Sequence, residues 1–233
     1  QILLDQALTA FILKVANSAL YGLRKEVSTI SYAINLMGYN TTKSILTAYL
    51  SKNLYSQKGN KLIQTVLWKH SISSAVFGKK IAEKMKKANS EEAFISSLLH
   101  DIGKGVLLKN KTEDFENIVQ LIYNEGMSSV EAERTILEYT HIEVGYLLMK
   151  NWRFSDSIIE TVIYHHTVPE YSGDNLQVPI VSLANKLSHM NEYSFDKRDE
   201  ELFELPMLGI TEADLGSITE DAIEEIEKYL EIF

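Results

Sequence analysis

The chain has 233 residues, of which 45% are apolar and 24% charged, and it contains no cysteine. That length permits a substantial buried core, and the lack of cysteine excludes disulfides and thiolate metal sites. No apolar run is long enough to cross a bilayer and no signal-peptide pattern opens the chain, so a cytoplasmic protein with no membrane partner is expected. The formal charge of −9 is unevenly spread: residues 196–233 carry 13 acidic and 3 basic side chains, and residues 1–195 are close to neutral. Without a basic stripe, nucleic acid is not an expected partner. The Lys79–Lys87 cluster reads as a solvated helix face. Gln1 stands where a Met would start a complete chain, so the sequence reads as a piece of a longer protein.

With 3 prolines and 11 glycines, long stretches keep helical periodicity and strand-like alternation is scarce. The pattern predicts an all-α protein. Residues 5–20 read as a helix stopped near Gly22. A short helix follows, capped by Ser28 and ended by Gly38, and then one capped by Thr41 or Thr42 that runs to about Tyr55. The polar stretch 56–61 divides an N-terminal part, 1–60, from a core, 61–195. A long helix over 61–88 carries Val66, His70, Ser73, Phe77 and Ile81 on one stripe. Ser90 is read as the cap of the next helix, which delivers His100 and Asp101 before Gly103 and Gly105 break it. Two amphipathic helices flank Gly126. The helix starting near Thr140 presents His141 and Gly145, the glycine allowing close approach of a neighbour. A helix from Ser155 or Asp156 ends in His165 and His166. After Pro179 an apolar helix holds Asn185. The acidic extension, 196–233, contains a helix expected to pack through Ile223, Ile226 and Leu230 on the main body or on a second copy of the chain.

His70, His100, His141, His165 and His166 fall at inward or helix-end positions on four predicted helices, and His189 reads as incidental. A lone histidine is ordinarily a hydrogen-bonded core residue. Five that converge are hard to satisfy without a common partner, and a divalent ion is the natural one. Imidazole and carboxylate donors suit one or two ions of Fe, Mn, Zn or Ni, and Asp101 could bridge two. A two-metal site polarises a phosphoryl group and activates water. Spacing alone does not show that these residues meet.

His70, "HD" at 100–101, His141, "HH" at 165–166 and a polar residue on the later helix resemble the motif order of the HD superfamily of metal-dependent phosphohydrolases. "HDIGK" closely resembles its HD motif. Residues 8–50, with "ANSALYG" and "AINLMG", resemble HDOD, the HD-related output domain of bacterial signalling proteins, and the resemblance runs over about 1–195. It implies an HD-domain-like helical bundle with an N-terminal helical subdomain. It also implies a metal set of His70, His100, Asp101, His141, His165, His166 and Asn185, with Asp101 and Lys104 at any reacting centre. Lys104 either faces a substrate phosphate, as the resemblance implies, or is a solvated lysine at a helix end. Asn185 stands where the superfamily has its last aspartate, and a neutral ligand holds an ion more weakly. "HHTVPEYSGD" lacks the elements of the HD-GYP phosphodiesterases.

Three readings follow. The leading one is a bacterial signalling output domain that retains a metal site and works through protein partners or fused domains. The others are an active metal-dependent phosphohydrolase with a phosphate-containing ligand, and a metal-free helical interaction module.

Overall fold

The computed structural model describes residues 6–22, 27–55, 60–196 and 201–232. Among them there is no strand, and the fold is all-α. No described helix is long and apolar enough to cross a membrane. The expected helix start at residue 5 and most of the polar break at 56–61 lie outside the described residues.

The N-terminal part is α1 (Gln6–Ala16), α2 (Ile30–Met37) and α3 (Tyr39–Tyr55). Helix α1 ends four residues earlier than its periodicity predicts. Asn17 is the reason: its amide clasps the backbone of Val27, accepting from the N–H at 2.7 Å and donating to the carbonyl at 2.9 Å. This ties off the "ANSALYG" turn. Thr29, not Ser28, caps α2, and Gly38 ends it at φ 80, a conformation that favours glycine. Helix α3 starts directly after that glycine, before Thr41 and Thr42.

Helix α4 (Lys61–Met85) is the axis of the molecule. Its inward stripe holds His70, Ser73, Phe77 and Ile81, all buried, with Val66 half-buried. Helices α5 (Ser90–Leu99), α11 (Gln177–Met190) and α13 (Glu212–Ile232) pack along it. Asn89, one residue before the predicted Ser90, caps α5 by accepting from the N–H groups of Glu91 and Glu92.

His100 and Asp101 form the corner between α5 and α6 (Ile102–Asn110). Gly103 and Gly105 do not break the helix, as the sequence predicts; they lie within it. A Cβ on Gly103 would come 2.0 Å from the carbonyl oxygen of His141, so the glycine lets α6 and α9 (His141–Asn151) touch backbone to backbone. Gly145 serves the same crossing from the other side and leaves room for Val162. Helices α7 (Thr112–Glu125) and α8 (Ser129–Leu137) form a hairpin around Gly126, and α10 (Asp156–Tyr164) packs on α9 and α11.

In the acidic extension, α12 (Glu204–Leu208) is pinned to α11 by the buried Glu204, which accepts from Ser182 at 2.6 Å and pairs with Lys186 at 3.1 Å. Helix α13 lies on α4 with Ile226 buried and Ile223 and Leu230 half-buried. The Lys79–Lys87 run is therefore not simply solvated. Lys79 and Lys80 clamp Glu225 at 2.9 and 2.7 Å, and Lys84 meets Asp214 at 2.7 Å.

Gly103→Ala should lower stability by about 2–3 kcal/mol or more, because backbone must move to admit the methyl group. Gly216→Ala, in an exposed position of α13 with open space around it, should raise stability by about 0.5–1 kcal/mol. Urea unfolding of both variants checks the pair; a tolerated Gly103→Ala would contradict the α6–α9 contact.

Candidate metal centre

Four helix segments bring their histidines to one carboxylate. His70 comes from the middle of α4, His100 and Asp101 from the α5–α6 corner, His141 from the first turn of α9, and His165 and His166 from the end of α10. His70, His100, Asp101, His141 and His165 are each at most 2% exposed, and His166 is half-buried.

The remote ring nitrogens are fixed first. The Nδ1 of His100 donates to the carbonyl of Ser97 at 2.6 Å, and that of His165 to the carbonyl of Val162 at 2.9 Å. His141 Nδ1 donates to Glu133, a fully buried carboxylate, at 2.7 Å. His70 Nδ1 lies 2.9 Å from Ser188 Oγ, which in turn bonds Ser73. Ser73 donates to the carbonyl of His70, so Ser188 donates to Ser73 and accepts from His70. A ring whose Nδ1 carries the proton presents a bare lone pair at Nε2. All four Nε2 atoms point at Asp101.

They do so in two triangles. His70 Nε2, His100 Nε2 and Asp101 Oδ2 are separated by 3.3, 3.4 and 3.5 Å. His141 Nε2, His165 Nε2 and Asp101 Oδ1 are separated by 3.4, 3.1 and 3.5 Å. Left alone, the facing nitrogens of His70 and His100 set lone pair against lone pair. Two ligands about 2.1 Å from one ion, at tetrahedral or octahedral angles, stand about 3.0–3.4 Å apart. Both triangles match that spacing. His166 joins the second group, whose ligand atoms all lie within 4.8 Å of one another. Its Nε2 is buried without a hydrogen bond among the described residues, and neither Asp101 oxygen has one of good geometry. The residues fit a divalent-metal site, with outer partners that orient the imidazoles.

Asp101 is also 2.8 Å from Lys104 Nζ through Oδ2. Burial disfavours its charge, but Lys104, His100 and His141 outweigh that and hold it well below the usual carboxylate range. Lys104 is buried and ion-paired, so it is not the solvated lysine of one sequence reading; its second partner is Asp196 at 3.0 Å. Burial pushes His100, His165 and His166 below the usual imidazole range. His141 goes the other way: burial and Lys104 lower it, but Glu133 and Asp101 together outweigh them and raise it to about 9.

His189 is not incidental. It is buried, stacks on His70 with ring centroids 5.0 Å apart, and is pushed down to about 3, by burial first and by His70 next. Asn185 is buried one helical turn ahead of Ser188 and His189, its side-chain oxygen without a hydrogen bond among the described residues. Glu133, Ser188 and Asp196 gave no signal in the sequence. Each is a single polar residue on an otherwise ordinary amphipathic or loop segment.

The HDOD domain model matches residues 1–168. The chain belongs to the HDOD family. An HDOD domain protein of unknown function from Geobacter sulfurreducens superimposes with a TM-score of 0.81 at 26% identity, covering 99% of this chain and 81% of that one. A candidate signal transduction protein from Marinobacter aquaeolei VT8 shares the fold, with a TM-score of 0.83 at 18% identity, covering 99% of this HDOD chain and 52% of that one. An uncharacterized protein of Treponema pallidum (strain Nichols) is 23% identical over 172 residues, which are 71% of this chain and 32% of that relative. This HDOD chain thus spans about a third of the curated relative it matches.

In metal-free protein the raised His141 stabilises the fold fully below about pH 6.5, and that contribution fades as pH rises through about 9. The depressed histidines act oppositely, destabilising as pH falls below about 6.5. Stability of the metal-free chain should therefore peak near neutrality. Glu133→Gln should remove the alkaline decline, as denaturant melts between about pH 6 and 10 would show; an unchanged decline would mean that His141 is not held by Glu133.

Proposed function

We propose that this HDOD chain is an output module of a bacterial signalling protein, built around a divalent-metal centre and acting through protein partners or domains fused to it. His70, His100 and Oδ2 of Asp101 would hold one ion; Oδ1 of Asp101, His141, His165 and His166 would hold a second. Asn185 is the neutral candidate for a further ligand. Fe, Mn, Zn and Ni all accept such nitrogen and oxygen donors. The observation that carries the reading is the pair of triangles of imidazole nitrogens and carboxylate oxygen with ion-like spacing.

A regulatory role is favoured over catalysis by the enclosure of the centre. The cavity beside it, touching His70, Lys104 and Asp196, has a volume of about 20 Å³, room for about one water molecule. Lys104, the side chain best placed to neutralise a substrate phosphate, is held by two carboxylates of its own chain. The second reading, a metal-dependent phosphohydrolase, is favoured by the bridging position of Asp101. Bound ions there would polarise a phosphoryl group and lower the pKa of water, while Lys104 would neutralise the phosphate.

Purified protein should contain tightly held transition metal by mass spectrometry, and Asp101→Ala should lose it while keeping the helical circular-dichroism spectrum. Wild type that binds no such metal would overturn the metal reading. Metal-loaded protein should leave nitrophenyl phosphate and bis-nitrophenyl phosphate intact. Turnover that vanishes in Asp101→Ala would replace the regulatory reading by the hydrolase.

A further inference from the structure

Asp196 carries an anion into a place that offers more donors than it uses. Its Oδ2 is 3.0 Å from Lys104 Nζ, and its Oδ1 accepts the N–H of Ser129, the first residue of α8, at 2.9 Å. His189 Nε2 lies 4.0 Å from Oδ2. Lys104, Ser129 and His189 are each more than nine-tenths buried. Two further donors go unused: among the described residues, neither the Ser129 hydroxyl nor either ring nitrogen of His189 has a hydrogen bond.

We propose that the carboxylate of Asp196 is a built-in plug: it occupies the place at Lys104 where the resemblance implies a phosphate, and Ser129 and His189 are the further donors a phosphoryl group would meet once it leaves.

A carboxylate is planar and brings two oxygens. It satisfies the ammonium and one backbone N–H, and it leaves the hydroxyl and the imidazole over. A phosphoryl group brings a tetrahedron of oxygens that can meet all four donors, and the positive end of α8 adds to the attraction. The neighbouring cavity, lined by Lys104, Ser129 and Asp196 among others, is only about 20 Å³, so the phosphoryl group enters only as the carboxylate leaves. Because Lys104 touches both Asp196 and Asp101, the exchange places phosphate beside the centre of Asp101. The purpose of the site rests on the metal reading; its donors do not. A tethered carboxylate competes at high effective concentration, which keeps the site closed to free phosphate in the resting chain.

The probe is inorganic phosphate, titrated calorimetrically into the full chain after EDTA treatment, with sodium chloride held constant. Asp196→Ala should bind phosphate at least about tenfold more tightly than wild type. Adding Ser129→Ala should cut that gain by about fivefold, the worth of one hydrogen bond. Should Asp196→Ala not fold, Asp196→Asn keeps the shape, loses the charge at Lys104, and should show a gain in the same direction. Phosphate binding no tighter than in wild type, or a gain untouched by Ser129→Ala, would overturn the site. Metal content of the same preparations, measured before EDTA treatment, separates the two readings. A phosphate gain in protein that never held metal leaves the anion site standing without the metal centre, and metal-bearing protein with no gain does the reverse.

Discussion

A buried carboxylate facing four imidazole nitrogens and one ammonium sets the terms for the helices around it. Asp101 has been taken out of water at the corner of α5 and α6, and an uncompensated charge there would cost several kcal/mol. Each neighbouring helix answers that demand with one side chain: His70 from α4, His141 from α9 and His165 from α10. The imidazoles are in turn held from behind by Ser188, Glu133 and two backbone carbonyls. The packing follows the same requirement. His141 can reach Asp101 because α9 and α6 cross at Gly103 and Gly145, where a side chain on either would push the helices apart.

The two ends of the chain are fitted to this core by different means. The N-terminal helices close their first turn through the clasp of Asn17 on Val27 and reach the core through α3. The acidic extension is drawn to the one basic run, with α13 laid along α4 so that Glu225 and Asp214 meet Lys79, Lys80 and Lys84. Between α11 and the extension stands Asp196, which couples the end of the core to Lys104 and to the start of α8. Asp196, Glu204, Asp214 and Glu225 of the acidic extension thus pair with lysines of the core.

Much of the centre could be read before the fold was known, because histidine and aspartate are conspicuous among apolar residues. The inward stripe of α4 placed His70 correctly, and Gly145 announced a close helix crossing. Gly103 was misread as a breaker: in sequence a glycine that ends a helix and one that admits a neighbour look alike, and only the 2.0 Å approach of His141 distinguishes them. His189 looked incidental because its stacking on His70 spans more than a hundred residues of chain. Glu133 and Asp196 were invisible for the same reason, since an acidic residue on an amphipathic helix or in a loop is ordinarily solvated. The Lys79–Lys87 face is not simply solvated, because periodicity describes one helix and says nothing of a partner arriving more than a hundred residues later.

The central claim is that Asp101 bridges two ions, one in each triangle of nitrogens. Crystals of the purified chain, with data collected on either side of the absorption edge of whichever metal it contains, test this directly. Two anomalous peaks should flank Asp101, one beside His70 and His100 and the other beside His141, His165 and His166. No peak at Asp101, with Oδ2 still held by Lys104, would contradict it.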